Sequence, residues 1–117
     1  MTSSQFAPTK VKKGFMDSSM RKTPFYGAHK AMLGYCSSDG YMGDAAASAA
    51  TWGWHFRGQK LVFGFVRRLI QAHGLSSSST VVFSGGSAGA RGVMVLIDLL
   101  VRDHFPPGAK VGEGRHF

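Results

Sequence analysis

Residues Thr80 to Arg102 read TVVFSGGSAGARGVMVLIDLLVR, and this stretch decides the fold. Val81, Val82 and Phe83 form a short β-branched and aromatic run that predicts a strand at 81–84. The run meets a small-residue corner, Ser84-Gly85-Gly86-Ser87-Ala88-Gly89. Beyond it Val93, Leu96, Ile97, Leu100 and Val101 recur at helical spacing, which predicts an amphipathic helix over about 88–104. The order is strand, sharp turn, helix.

Residues 85–89 spell GGSAG, a GxSxG pattern centred on Ser87. Between a strand and a helix this is the pattern of the α/β-hydrolase nucleophile elbow. A serine hydroxyl is a poor nucleophile until a base reaches it, and a strained strand-to-helix turn lifts it out of the sheet toward that base. Gly85, Gly86 and Gly89 keep the turn free of side chains. The Ala88 N–H, at the start of the following helix, points to where an oxyanion would form. Two other readings stay open: a structural βα connection, and a phosphate-cradling loop, although the corner lacks the lysine and following hydroxyl of a P-loop.

Working outward, Leu61, Val62, Phe65, Val66, Leu69 and Ile70 predict a helix over 60–73 laid on a sheet, with Lys60, Arg67, Arg68 and Gln71 on its other face. Gly74 suits its carboxy-terminal cap. A serine-rich connection at 75–79 then leads into the strand, and the alternation is an α/β pattern rather than a bundle or sandwich. Pro106-Pro107-Gly108 stops the second helix, and no element is predicted in the tail after it. Asp98 lies inside that helix and cannot curl back to orient a base for Ser87.

Upstream, 1–23 reads as a flexible segment rich in Ser, Thr, Lys and Gly, with Met16 and Met20 a surface pairing. KAMLGY at 30–35 is a candidate strand. It runs into Cys36-Ser37-Ser38-Asp39-Gly40-Tyr41-Met42-Gly43-Asp44, a loop in which Asp39 suits a local turn bonded to Ser37 or backbone N–H groups. AAASAA at 45–50 favours helix by propensity. Trp52, Trp54 and Phe56 then suggest an edge strand or an aromatic loop, and Arg57-Gly58-Gln59 a polar turn. His29 and His55 read as surface or structural histidines, His55 being the nearest upstream base candidate for Ser87.

The chain of 117 residues allows at most one domain with a modest core. A formal charge of +8 is compatible with an anionic partner, but the basic residues are scattered and no zinc-finger spacing is present, which disfavours nucleic acid. One cysteine, Cys36, precludes an intrachain disulfide and a multi-cysteine metal site. No cofactor or metal is expected. No apolar run reaches the length of a membrane span, and no signal peptide is visible.

Three blocks, YCSSDGYMGD at 35–44, HFRGQ at 55–59 and VVFSGGSAGARG at 81–92, together resemble the pectin acetylesterase and Notum family of α/β-hydrolases. The likeness spans about 24–104, between the flexible 1–23 and a tail or truncated continuation at 105–117. It implies a fragment of an α/β-hydrolase fold containing the strand, elbow and helix, and a serine carboxylesterase that deacetylates pectin or acts on another acylated substrate. Ser87 then matches the nucleophile and Ala88 the oxyanion-hole amide. Cys36, Ser37, Ser38 and Asp39 match a family motif near the site, and Arg57 and Gly58 a structural block. The resemblance implies a secreted or cell-wall setting and disulfide-bonded cysteines, from which the lone Cys36 departs. It also places the catalytic aspartate and histidine well downstream of the serine, and no residue here matches them. The expectation is therefore a partial gene product, inactive and marginally folded in isolation. A noncatalytic α/β module and a basic polyanion binder stand as alternatives.

Overall fold

The computed structural model describes Ala7, Asp17, Arg21 and residues 23–116, the last four by backbone alone. The expectations for 1–23, including the Met16 and Met20 pairing, fall almost wholly outside the described residues. The chain divides into two units, Met1–Gly34 and Tyr35–Phe117. In the first, Tyr26 N–H donates to the Thr23 carbonyl at 3.0 Å and Ala28 N–H to Phe25 at 3.1 Å. The Arg21 guanidinium lies over the Tyr26 ring, 5.8 Å from its centroid.

The second unit is α/β: α1 (Gly58–His73), β1 (Thr80–Gly86), α2 (Ala88–Asp103) and β2 (Lys110–His116). β1 and β2 pair in parallel, from Thr80 opposite Lys110 to Gly86 opposite His116, and α2 is the crossover between them. Parallel strands need such a crossover because a tight turn cannot bring two chains side by side in the same direction. α2 contacts both strands. Its buried stripe is Ala90, Val93, Leu96 and Leu100, spaced as one helical face, and Phe105 closes the far end edge-on to Phe83. Each large apolar side chain so buried stabilises the fold by about 1.5–3 kcal/mol.

α1 adds Val62 and Val66 to the core and meets α2, where the Phe63 and His104 rings stack 3.9 Å apart. It ends as its sequence predicts, with Gly74 left-handed at φ 76° and its N–H on the Leu69 carbonyl. α2 stops before Pro106, and the Pro-Pro-Gly turn returns the chain so that Lys110 N–H donates to the Ser79 carbonyl at 2.9 Å, which opens β2 beside β1.

Three expectations are corrected. The tail contains β2, a strand that owes its existence to pairing with β1, since Gly112 and Gly114 give it low intrinsic propensity. Residues 30–35 form no strand, and Met32 is exposed. The alanine run is no α-helix: only Ala49–Thr51 makes a single tight turn, while Ala45 bridges Phe56 antiparallel. With no bulky side chain to bury, helix propensity alone does not carry so short a segment. Among the described residues no helix is long and apolar enough to cross a membrane.

Candidate active site

The corner between β1 and α2 turns at Ser87, whose φ of 52° and ψ of −115° no ordinary L residue adopts without cost. Such a conformation costs on the order of 1–3 kcal/mol and persists only where the surroundings enforce it. Here the enforcement is a backbone contact. A Cβ on Gly85 would drive into the carbonyl group of Gly89 and lie 2.8 Å from its Cα, so β1 and the first turn of α2 can meet only because residue 85 is glycine.

Serine at a helix start ordinarily caps the helix through its hydroxyl. Ser87 does not: it occupies the N-cap position with no side-chain cap bond, and it is exposed. Its carbonyl accepts from Arg91 N–H at 3.2 Å, which begins the helix and leaves the hydroxyl uninvolved. As the first residue of α2, Ala88 has an N–H with no acceptor inside the helix, at its positive end. The corner thus presents an exposed hydroxyl beside an available backbone donor. Among the described residues no side chain hydrogen-bonds the Ser87 hydroxyl.

The second predicted cluster lies in the loop before α1. Ser38, Gly40 and Tyr41 are left-handed, at φ 56°, 64° and 65°. The Asp39 carboxylate holds this loop. Its Oδ1 accepts from the Ser37 hydroxyl at 2.5 Å and from Tyr41 N–H at 3.0 Å, the local turn its sequence suggests. Its Oδ2 accepts from Gly58 N–H at 2.7 Å, across 19 residues, a bond the sequence does not announce. Gly58 is the first residue of α1, and neither its N-cap Arg57 nor any acidic residue in the first turn caps that helix; Asp39 supplies the negative charge from elsewhere in the chain.

Glycine is required at Gly58, where a Cβ would strike the Asp39 carboxylate and lie 2.6 Å from the Tyr41 Cα and 2.7 Å from the Ser37 hydroxyl. Gly43 is cleared for the same reason, its Cβ falling 2.6 Å from Asp39 Oδ2. Gln59 N–H to the Gly43 carbonyl at 3.1 Å, and the paired Ala45 and Phe56 bonds at 2.8 and 3.0 Å, zip the loop to the start of α1.

The two clusters meet through Tyr41. Its side chain is buried, and a Cβ on Gly92 would lie 3.0 Å from the Tyr41 Cβ, while one on Gly89 would lie 4.0 Å from its ring. Tyr41 therefore packs on the first two turns of α2, directly behind the corner, with Tyr35 beside it at 4.8 Å between ring centroids. Burial, followed by the neighbouring Cys36, Tyr35 and Asp39, raises the Tyr41 hydroxyl pKa above its ordinary 10.0. Cys36 is half-buried and free. Sequence reasoning missed Tyr41 and Gly92; the small face of α2 at Gly89 and Gly92 opposite a tyrosine is the signal that pointed to them.

The remaining polar candidates are engaged elsewhere. His55 Nδ1 accepts from Ala47 N–H at 3.2 Å, a loop-closing role. His104 stacks on Phe63 at the far end of α2, about 26 Å along the helix from Ser87 by its rise per residue. Asp103 forms a two-pronged bond with Arg102, at 2.8 and 2.6 Å, which lowers its pKa on an open surface. Among the described residues no three His, Cys, Asp or Glu gather as a metal site would need.

The family profile described as pectinacetylesterase matches residues 1–113. Palmitoleoyl-protein carboxylesterase notum1 of Xenopus laevis is 29% identical over 101 residues, covering 86% of this chain and 20% of the relative. Palmitoleoyl-protein carboxylesterase NOTUM of Homo sapiens is 29% identical over 99 residues, covering 84% and 20%, and that of Mus musculus 29% over 99, covering 84% and 19%. The chain thus spans about a fifth of the length of these curated relatives. No solved structure matches it.

Proposed function

The chain belongs to the pectinacetylesterase family, and from that premise we propose that it carries the nucleophile elbow of a serine carboxylesterase, with Ser87 as nucleophile and Ala88 N–H as one donor of the oxyanion hole. The observation that carries the reading is the conformation of Ser87: an exposed serine held at φ 52° with its hydroxyl withheld from capping its own helix. An ordinary βα connection has no reason to bear that strain.

In the proposed reaction the Ser87 hydroxyl attacks the ester carbonyl and gives its proton to a histidine base. The carbonyl oxygen takes the negative charge beside the Ala88 N–H, and collapse expels the alcohol, which receives the proton from the histidine. Water, deprotonated by the same base, then attacks the acyl-serine and releases the carboxylic acid and free Ser87. The base comes from outside the described contacts of Ser87. No metal or cofactor enters these steps.

The substrate we assign is an O-acetyl ester of an acidic polysaccharide of the pectin class. Support comes from the family description and from the formal charge of +8, which favours a polyanion. The printed names of the curated relatives, palmitoleoyl-protein carboxylesterases, supply the competing assignment, a long acyl chain on a protein. The test is acetate release from acetylated pectin by the complete protein and its Ser87→Ala variant. The proposal expects release that falls at least about 1,000-fold in the variant. Turnover of a palmitoleoyl ester in preference to acetylated pectin would overturn the substrate, and full activity in Ser87→Ala would overturn the nucleophile.

A further inference from the structure

Resting on the reading of Ser87 as nucleophile, we propose that Asp39 is a positioning residue for the reaction: it fixes Tyr41 as the wedge that sets the first two turns of α2, and with them Ser87 and the Ala88 N–H. The argument starts from strain. Ser38 and Tyr41 sit at φ 56° and 65°, where a side chain is disfavoured, and three bonds to one carboxylate over-determine the loop that holds them. Bonds to an ionised acceptor are roughly twice as strong as neutral ones.

From the carboxylate the constraint passes to the Tyr41 backbone at 3.0 Å, and from there to its ring. The ring is 8% exposed and lies against Gly89 and Gly92, the face of α2 that lacks side chains. Gly89 is also the residue whose backbone touches Gly85. Tyr41 and Gly85 therefore press on the same turn of α2 from two sides, and that turn carries the donor proposed for the oxyanion. The Gly58 bond anchors the other oxygen of Asp39 to α1, so the wedge is braced against a second helix rather than floating on a loop. This chain of contacts joins the three sequence blocks into one mechanical unit.

The experiment is steady-state hydrolysis of p-nitrophenyl acetate by the complete protein, with Ser87 sites counted by stoichiometric organophosphonate labelling. Asp39→Asn keeps the shape but turns one oxygen into a donor that faces either Gly58 N–H or the Ser37 and Tyr41 donors. The proposal expects kcat per labelled site to fall about 10- to 100-fold, with KM held within about twofold, since only the transition-state geometry is disturbed. A variant with less folded protein but unchanged kcat per labelled site would show a merely structural role and overturn the proposal.

Gly92→Ala covers the case in which Asp39→Asn fails to fold. Its Cβ, 3.0 Å from the Tyr41 Cβ and 3.1 Å from the Gly40 carbonyl oxygen, displaces the wedge while leaving the Asp39 carboxylate itself unaltered. It should lower kcat in the same direction by a smaller factor, and an unchanged kcat again overturns the proposal. Ser87→Ala separates the two levels of the claim. Turnover retained in that variant refutes the nucleophile and this inference with it, whereas turnover abolished there and intact in Asp39→Asn refutes the positioning role alone.

Discussion

At the corner, Gly85 clears the backbone of Gly89 four residues on, whereas in the loop Asp39 finds its decisive partner in Gly58, 19 residues away. Both regions hold the backbone in left-handed conformations that cost free energy. The corner does so by removing side chains, so its strain is enforced locally by the paths of β1 and α2. The loop does so by adding a charge, and its strain is enforced only once α1 has formed. A turn built by subtraction can be recognised from a short pattern; a turn built by a distant bond cannot.

The comparison breaks most severely at Gly85. Gly85→Ala places a methyl group into the carbonyl of Gly89, where only backbone can yield, and the expected cost is about 3 kcal/mol or more, beyond the usual overpacking range. Urea unfolding of the complete protein would measure it, and a loss under about 1 kcal/mol would mean that the corner is looser than described. Gly58→Ala comes next. Its Cβ meets the Tyr41 Cα and the Ser37 hydroxyl as well as Asp39, but side chains share the adjustment, so about 1–3 kcal/mol is expected. Protection of the α1 amide protons from exchange should fall first at Gly58, Gln59 and Lys60, while β1 and β2 keep theirs.

What could be read in advance follows the same division. β1 and α2 were legible because Val81 to Phe83 and the 93, 96, 100 spacing carry their own periodicity, and Gly85, Ser87 and Gly89 mark the turn between them. The Asp39 turn was legible only as far as Ser37 and Tyr41, its neighbours in sequence. Its bond to Gly58 was hidden because the donor is a backbone N–H, which leaves no side-chain signature. β2 was hidden because its order comes from β1 rather than from Gly112 and Gly114. The alanine run misled for the opposite reason: propensity was evident there, but no buried face existed to use it.

Smaller effects sharpen the contrast between glycines that are required and glycines that are not. Gly64 lies inside α1, exposed, with open space where a Cβ would go. Gly64→Ala should therefore stabilise the protein by about 0.5–1 kcal/mol, by lowering the conformational freedom of the unfolded chain. A thermal unfolding midpoint that rises checks this, and one that falls would place an unseen neighbour against α1.

The least effect is expected in alkali. The Tyr41 pKa is raised in the folded protein above its ordinary 10.0, so its contribution to stability is complete below that pH and is lost as pH rises through the folded value. Stability measured against pH should decline above 10, and Tyr41→Phe, which cannot ionise, should flatten that part of the decline. An identical decline in both proteins would mean that the hydroxyl is not shielded.

The central claim is that the strain at Ser87 serves chemistry. Treating the complete protein with a fluorophosphonate and mapping the adduct by peptide mass spectrometry tests it most directly, because only a serine with a working base reacts at neutral pH. A single stoichiometric adduct on Ser87, accompanied by loss of acetyl-ester hydrolysis, is the predicted result. Undiminished hydrolysis with Ser87 unmodified would contradict the account and reduce the corner to a turn.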